Sequence, residues 1–150
     1  FLASEEYGVE ILKVQEIIGA VNITRVPKCP DYLKGVINLR GKIIPIVDLR
    51  LRLGMQEKDY DERTCFIVVN AEIDKHPLSV GVVVDTVDEV IHFEASSIEP
   101  APSYGAHVDT SFILGMGKTA ENVIILIDID KTLAGTSEAL LMSTSTEELA

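Results

Sequence analysis

The sequence predicts a mainly β protein, two small barrels packed on a shared core, and three observations carry that prediction. The first is the kind of apolar residue: 17 Ile and 16 Val stand against 4 Phe, 4 Tyr and no Trp. β-Branched side chains lose rotamer freedom on a helix and pack well on a pleated surface. The second is segment length. The apolar runs are short, punctuated by Pro, Gly and charged residues, and none approaches the roughly 20 residues needed to span a bilayer. The third is an internal repeat. Under a shift of 80 residues Gly35, Ile44, Asp48 and Leu53 meet Gly115, Ile124, Asp128 and Leu133, and Ile43, Val47 and Leu49 meet Val123, Ile127 and Ile129. Under a shift of 73, YGVEILKVQEII lies on VGVVVDTVDEVI, so that Gly8, Val9, Val14, Glu16 and Ile18 meet Gly81, Val82, Val87, Glu89 and Ile91. The difference between the shifts fits a longer loop in the second copy. Each copy holds about four or five short strands, too few to bury a face unless the sheet packs on something or closes on itself.

Taken in order, Tyr7 to Ile11 alternates as a strand, and the apolar phase then slips at Leu12 before resuming through Val14, Ile17 and Ile18. A one-residue slip exchanges the two faces, so a bulge or tight turn is expected near Leu12-Lys13. Val26 to Asp31 is a loop, because its two prolines remove two donors. GVINLRGKIIPIVDLRLRLG (Gly35–Gly54) reads as a hairpin turning at Arg40-Gly41, where Gly41 supplies the positive φ. Pro45, inside the returning strand, has to fall at an edge or a bulge. Asp48 is placed to cap a short helix that starts near Leu49 and ends at Gly54. Strands are predicted at Cys65–Val69, Leu78–Val84, Val87–Phe93, Ile113–Leu114 and Asn122–Ile129, with a polar turn over Glu72–His76 and a loop over Ser96–Asp109. The whole is one domain over residues 1–150, with a first lobe at about 7–54, a second at about 62–135, connecting strands in 55–79 and a C-terminal helix or tail at 136–150.

Charge narrows the function. The formal net charge of −11 disfavours nucleic acid and anionic lipid, both of which require a basic face. Cys29 and Cys65 have no C-x-x-C spacing and read as free thiols of a reducing compartment. The chain opens on Phe1, so a leader upstream of it would not be visible. No catalytic or metal set converges. His76, His92 and His107 fall in a turn, a strand and a loop without metal-ligand spacing, and Asp128 and Asp130 suit helix capping better than an oxygen-rich cation site. GMGKT (Gly115–Thr119) imitates the end of a phosphate loop, but Phe112 stands where its first Gly belongs and a strand-like ENVIILI follows. What remains is surface. Glu16 interrupts an apolar run, Arg40 sits at a hairpin tip, and both are candidates for a binding face.

YGVEILKVQEII, ITRVPKCPDYLKGVINLRGKIIPIVDLRLRLG, VGVVVDTVDEVI and VIILIDIDKTL resemble the CheW family of chemotaxis coupling proteins over essentially the whole chain. The alternatives within the superfamily are the CheW-like regulatory domain of the kinase CheA and that of CheV, each part of a longer protein; the ends at 1 and 150 lead us to expect a stand-alone coupling protein, with a receiver or kinase domain outside this sequence as the alternative. The resemblance implies two five-stranded SH3-like barrels, no catalysis and no cofactor. It also implies a cytoplasmic scaffold, recruited to membrane-associated receptor arrays without inserting into the membrane, that links the CheA histidine kinase to chemoreceptor cytoplasmic tips. The family's receptor-binding positions fall here on Val14, Glu16, Gly35 and Arg40; the kinase-binding surface is expected on the second lobe, with no individual residue carried over. On this reading Val14 and Ile17 line an apolar groove between the lobes, and Glu16 pairs with Arg40 beside it.

Overall fold

The computed structural model describes residues 2, 5–88, 90–91, 93, 98–100, 112–119 and 121–134. Among these residues nine strands form two sheets. A five-stranded sheet has the order β2-β5-β6-β4-β3, with β2 at Val14–Gly19, β3 at Leu33–Leu39, β4 at Lys42–Asp48, β5 at Cys65–Ile73 and β6 at His76–Val84. A four-stranded sheet has the order β1-β9-β8-β7, with β1 at Tyr7–Val9, β7 at Ile98–Glu99, β8 at Ile113–Lys118 and β9 at Val123–Ile127. Two four-residue helices, α1 (Leu49–Arg52) and α2 (Ile129–Thr132), follow the β3–β4 and β8–β9 hairpins.

The repeat seen in the sequence is a repeat of backbone geometry. Leu33 pairs with Val47 and Gly35 with Ile46 across a bulge; Ile113 pairs with Ile127 and Gly115 with Leu126 across the equivalent bulge. The amide of Asp48 donates to the Tyr32 carbonyl at 2.7 Å, and that of Asp128 to the Phe112 carbonyl at 2.7 Å. Asp48 and Asp128 then cap α1 and α2 through their side chains.

The two copies exchange their first strands. β1 runs parallel to β9, with Gly8 opposite Leu126 and Val9 opposite Ile127. β6 runs parallel to β4, with Gly81 opposite Ile46 and Val82 opposite Val47. These are the same pairings under the two shifts, and in both the glycine is demanded by the strand beside it: a Cβ at Gly8 would lie 2.7 Å from Leu126, and one at Gly81 2.6 Å from Ile46. The sheets therefore do not follow the division at 7–54 and 62–135. Tyr7–Val9 belongs with the later strands, and Cys65–Val84 belongs with the earlier ones. The exchange stitches the halves into one main core containing Val47, Leu49, Val69, Val82, Ile127, Ile129 and Leu133, residues drawn from both sheets and from the helices that follow their hairpins.

Other boundaries move for local reasons. β5 and β6 close on a two-residue turn at Asp74-Lys75, both with positive φ, so the ladder runs from Cys65 opposite Val84 to Ile73 opposite His76 and absorbs the expected polar turn. Pro45 lies in a strand with neighbours on both sides, but the parallel ladder to β6 begins one residue later, at Ile46, so its missing donor breaks nothing. Ile129 starts a helix rather than extending the strand. The strand expected at Val87–Phe93 is absent at the residues described there: 87, 88, 90, 91 and 93 carry none. Its equivalent β2 is held by β5, and among the described residues the second copy has no strand corresponding to β5, so the segment lacks a ladder to join. Glu89, His92, His107 and the tail at 136–150 lie outside the described residues.

Candidate functional site

Between the two sheets runs an apolar groove of about 650 Å³. One wall is built by β1, a 3-10 turn at Ile11–Lys13 and the start of β2, contributing Ile11, Val14 and Ile17. The other is built by Val84, Val87, Val90 and Ile91. A shift of 73 carries Ile11 to Val84, Val14 to Val87 and Ile17 to Val90. The two walls are the same segment of the repeat, facing each other, and Leu114, Ile124 and Leu126 of the four-stranded sheet also line the groove. The lining is open to solvent: Ile17 is 50% exposed and Val90 is 74% exposed. Contiguous exposed apolar surface of this kind marks a place where another molecule packs.

The slip expected at Leu12-Lys13 is met by the 3-10 turn over Ile11–Lys13, and a separate bulge within β2 brings Val14 and Ile17 to one face. Val14 opposes Val69 but Glu16 opposes Val68, so Gln15 is an extra residue in β2. The bulge turns Val14 toward the groove together with Ile17, three positions away, and leaves Glu16 pointing elsewhere. Glu16 forms an ion pair with Arg40, as expected from the sequence. Arg40 occupies the left-handed region at φ 53°, followed by Gly41 at φ 85°, and the Asn38 side chain accepts from the Gly41 amide at 2.8 Å. These two positive φ values define the primed two-residue turn of a tight hairpin. The Arg40 side chain is 69% exposed, so its pair adds only about 0–1 kcal/mol to stability.

The four residues singled out from the sequence do not form one patch. Val14 lines the groove; Glu16 and Arg40 meet at the hairpin tip and line no part of it. Gly35 is buried, with φ 141°, and a Cβ there would overlap the Thr24 carbonyl oxygen and Ile23. It acts on the surface only by letting the strand segment at Thr24 pair with Val36. The sequence reading did not identify the second wall, although the shift that maps Val14 and Ile17 onto Val87 and Val90 already contained it.

Two further ion pairs brace the walls. Asp130 of α2 accepts from Lys13 Nζ at 2.8 Å with one oxygen and from the Glu72 amide of β5 at 2.9 Å with the other. Arg50 of α1 holds Asp85 through Nε at 2.8 Å and a terminal nitrogen at 2.5 Å. In each case the hydrogen bond to the carboxylate raises the pKa of the base, above all other causes. Among the described residues no cluster of His, Cys, Asp or Glu is arranged to hold a metal ion, and no helix is long and apolar enough to cross a membrane.

Comparison with known proteins agrees with the geometry. The family described as CheW-like domain matches residues 1–137. The chemotaxis protein CheW of Klebsiella aerogenes is 44% identical over 140 residues, covering 93% of this chain and 82% of that one. The chemotaxis protein CheW of Bacillus subtilis is 35% identical, covering 86% and 80%. The crystal structure of the scaffolding protein TtCheW from Thermoanaerobacter tengcongensis superposes with a TM-score of 0.76 at 39% identity, over 89% of this chain and 88% of that one.

Proposed function

The chain belongs to the CheW-like domain family, and on that premise we propose that it is a non-catalytic chemotaxis adaptor, coupling the CheA histidine kinase to the cytoplasmic tips of chemoreceptors in signalling arrays. The observation that carries this reading is the open apolar groove with two equivalent walls. A receptor tip is a bundle of helices, and an amphipathic helix laid into an apolar groove is a recurrent mode of recognition. Val14 and Ile17 supply apolar anchors on one wall. Glu16 and Arg40 form a second, polar contact at the hairpin tip, which contributes orientation and specificity more than affinity. Gly35 supports the receptor-binding lobe from inside. The kinase engages the other lobe, leaving the groove free for the receptor.

Capture of a purified receptor-tip fragment and of a CheA fragment, separately and together, tests this. Wild-type protein is expected to retain both. Ile17→Asp and Arg40→Glu are each expected to lose the receptor fragment by at least about tenfold, because a charge placed in an apolar contact or a reversed charge at the tip forfeits more than 1.4 kcal/mol. Both are expected to keep the kinase fragment and, being substitutions of exposed side chains, to melt within a few degrees of wild type. Full receptor capture by both folded variants would remove the groove and the hairpin tip from the interface.

A further inference from the structure

The two bracing ion pairs occupy corresponding places in the repeat, matched on the helix side and one residue apart on the wall side, with their signs reversed. The shift of 80 carries Arg50 to Asp130, the second residue of each short helix, and the shift of 73 carries Leu12 and Lys13 to Asp85 and Thr86. In one half a helix cation holds an anion on the segment after β6; in the other a helix anion holds a cation on the segment after β1. The segments so held are the ones that continue into the two groove walls, Val84–Ile91 and Ile11–Ile17.

Among the described residues few hydrogen bonds tie the Ile11–Lys13 turn down. None of its three residues is buried, and Leu12 is 89% exposed. Its own hydrogen bonds are local, from the Lys13 amide to the Glu10 carbonyl at 3.0 Å and from the Val14 amide back to Ile11. Lys13 reaches out of it to Asp130, whose other oxygen is already fixed by the Glu72 amide of the five-stranded sheet. One carboxylate thus ties α2, β5 and the turn to a common point. We infer that Lys13 and Asp130 are positioning residues that set the Ile11–Ile17 wall against its partner wall, as Arg50 and Asp85 do for the opposite wall, and so tune affinity for the groove's occupant without touching it. The inference rests on the proposed receptor role of the groove, and its mechanism is preorganisation: a wall held in its binding position loses less freedom on association.

The test uses the full chain with Lys13→Met, which leaves the Asp130–Glu72 bond in place, and Lys13→Arg as the conservative control. Affinity for the receptor-tip fragment is expected to fall about five- to tenfold in Lys13→Met and to stay within about twofold in Lys13→Arg, with affinity for the kinase fragment unchanged in both. Amides of residues 11–14 are expected to exchange faster with solvent in Lys13→Met than in either other protein, while β5 and β6 exchange alike in all three. Wild-type affinity in Lys13→Met, or unchanged exchange at the turn, overturns the positioning role. If wild-type protein fails to bind the receptor fragment, the receptor reading falls instead, and the exchange data still decide whether Lys13 holds the turn.

Discussion

The hairpin and helix at residues 32–54 and those at 112–134 share a register, a bulge, a backbone bond into the cap residue and a capping Asp, yet they are finished differently. The first tip turns through Arg40 and Gly41 with Asn38 holding the turn. The second is closed by Thr119, whose amide donates to the Asn122 carbonyl at 2.9 Å and whose hydroxyl accepts from the Asn122 amide at 3.0 Å; Ala120 lies outside the described residues. Asp48 is buried and accepts from two helix amides and from the Tyr60 hydroxyl, whereas the Asp128 side chain takes the Lys131 amide. What the copies share is what an SH3-like lobe needs to close. What they do not share marks where the halves have separate duties, and among the described residues the first half carries the more elaborate set.

The largest difference is expected at the shared glycine. Gly35 and Gly115 both sit beside a crossing strand, but only Gly35 has positive φ, and its missing Cβ faces a backbone carbonyl. Gly35→Ala is expected to cost about 3 kcal/mol or more, since strain and overlap add and a main-chain atom cannot rotate away. At Gly115 the nearest atom is a methyl of Ile98 at 2.6 Å, with the Glu99 carbonyl at 3.0 Å, so Gly115→Ala is expected to cost about 1–2 kcal/mol. Urea unfolding of both variants measures it. Equal costs would mean that the two crossings are mechanically alike despite their different φ.

The same pair shows what the sequence could and could not reveal. The repeat was legible because strands exposed to the same packing keep the same residue types: Gly opposite a close strand, Ile and Val inward, Asp at a cap. The hairpin tip, the cap and the tight turn near Leu12 were legible for a similar local reason, since each is set by neighbours a few residues away. Strand exchange was not. Which sheet β1 joins depends on the Tyr7–Ile125 and Val9–Ile127 ladder, a contact between ends of the chain that leaves no local trace. For the same reason the sequence offered Val14 and Ile17 as groove residues but not their counterparts Val87 and Val90, which face them only after the chain has folded. Lys13, Asp130, Arg50 and Asp85 were invisible as pairs, because charges on short helices and turns usually read as solvated surface.

A smaller difference is expected at the two caps. Asp48→Ala leaves two helix amides and a tyrosine hydroxyl without their acceptor in a buried setting, which is expected to cost about 2–3 kcal/mol. Asp128→Ala removes one amide acceptor, from Lys131 at 3.1 Å, for about 1 kcal/mol. Chemical denaturation again checks the ordering, and a cost at Asp128 equal to that at Asp48 would show that the tyrosine contributes nothing to the first cap.

The tyrosine itself gives the smallest effect and isolates a contact of the first cap that has no counterpart among the described residues of the second. Tyr60 lays the loop after α1 against Phe66, ring edge to face at 6.4 Å, and donates to Asp48 at 3.0 Å. Partial burial of a residue that remains 37% exposed comes first, and then the neighbouring Asp48 carboxylate; together they push its phenol well above the ordinary value of 10.0. A pKa raised by folding means that the folded state favours the protonated form. Its contribution is therefore complete below the unfolded value near 10 and is lost as pH rises from there toward the folded value. Wild-type stability is expected to drop between pH 9 and about pH 11 by more than that of Tyr60→Phe, which keeps the ring contact and has no proton to lose. Tyr7, also raised by burial, and Lys13, raised by Asp130, titrate alike in both proteins and cancel in the difference. Urea midpoints at the two pH values measure it; parallel losses in the two proteins would place the alkaline sensitivity elsewhere and reduce Tyr60 to an apolar cover over Phe66.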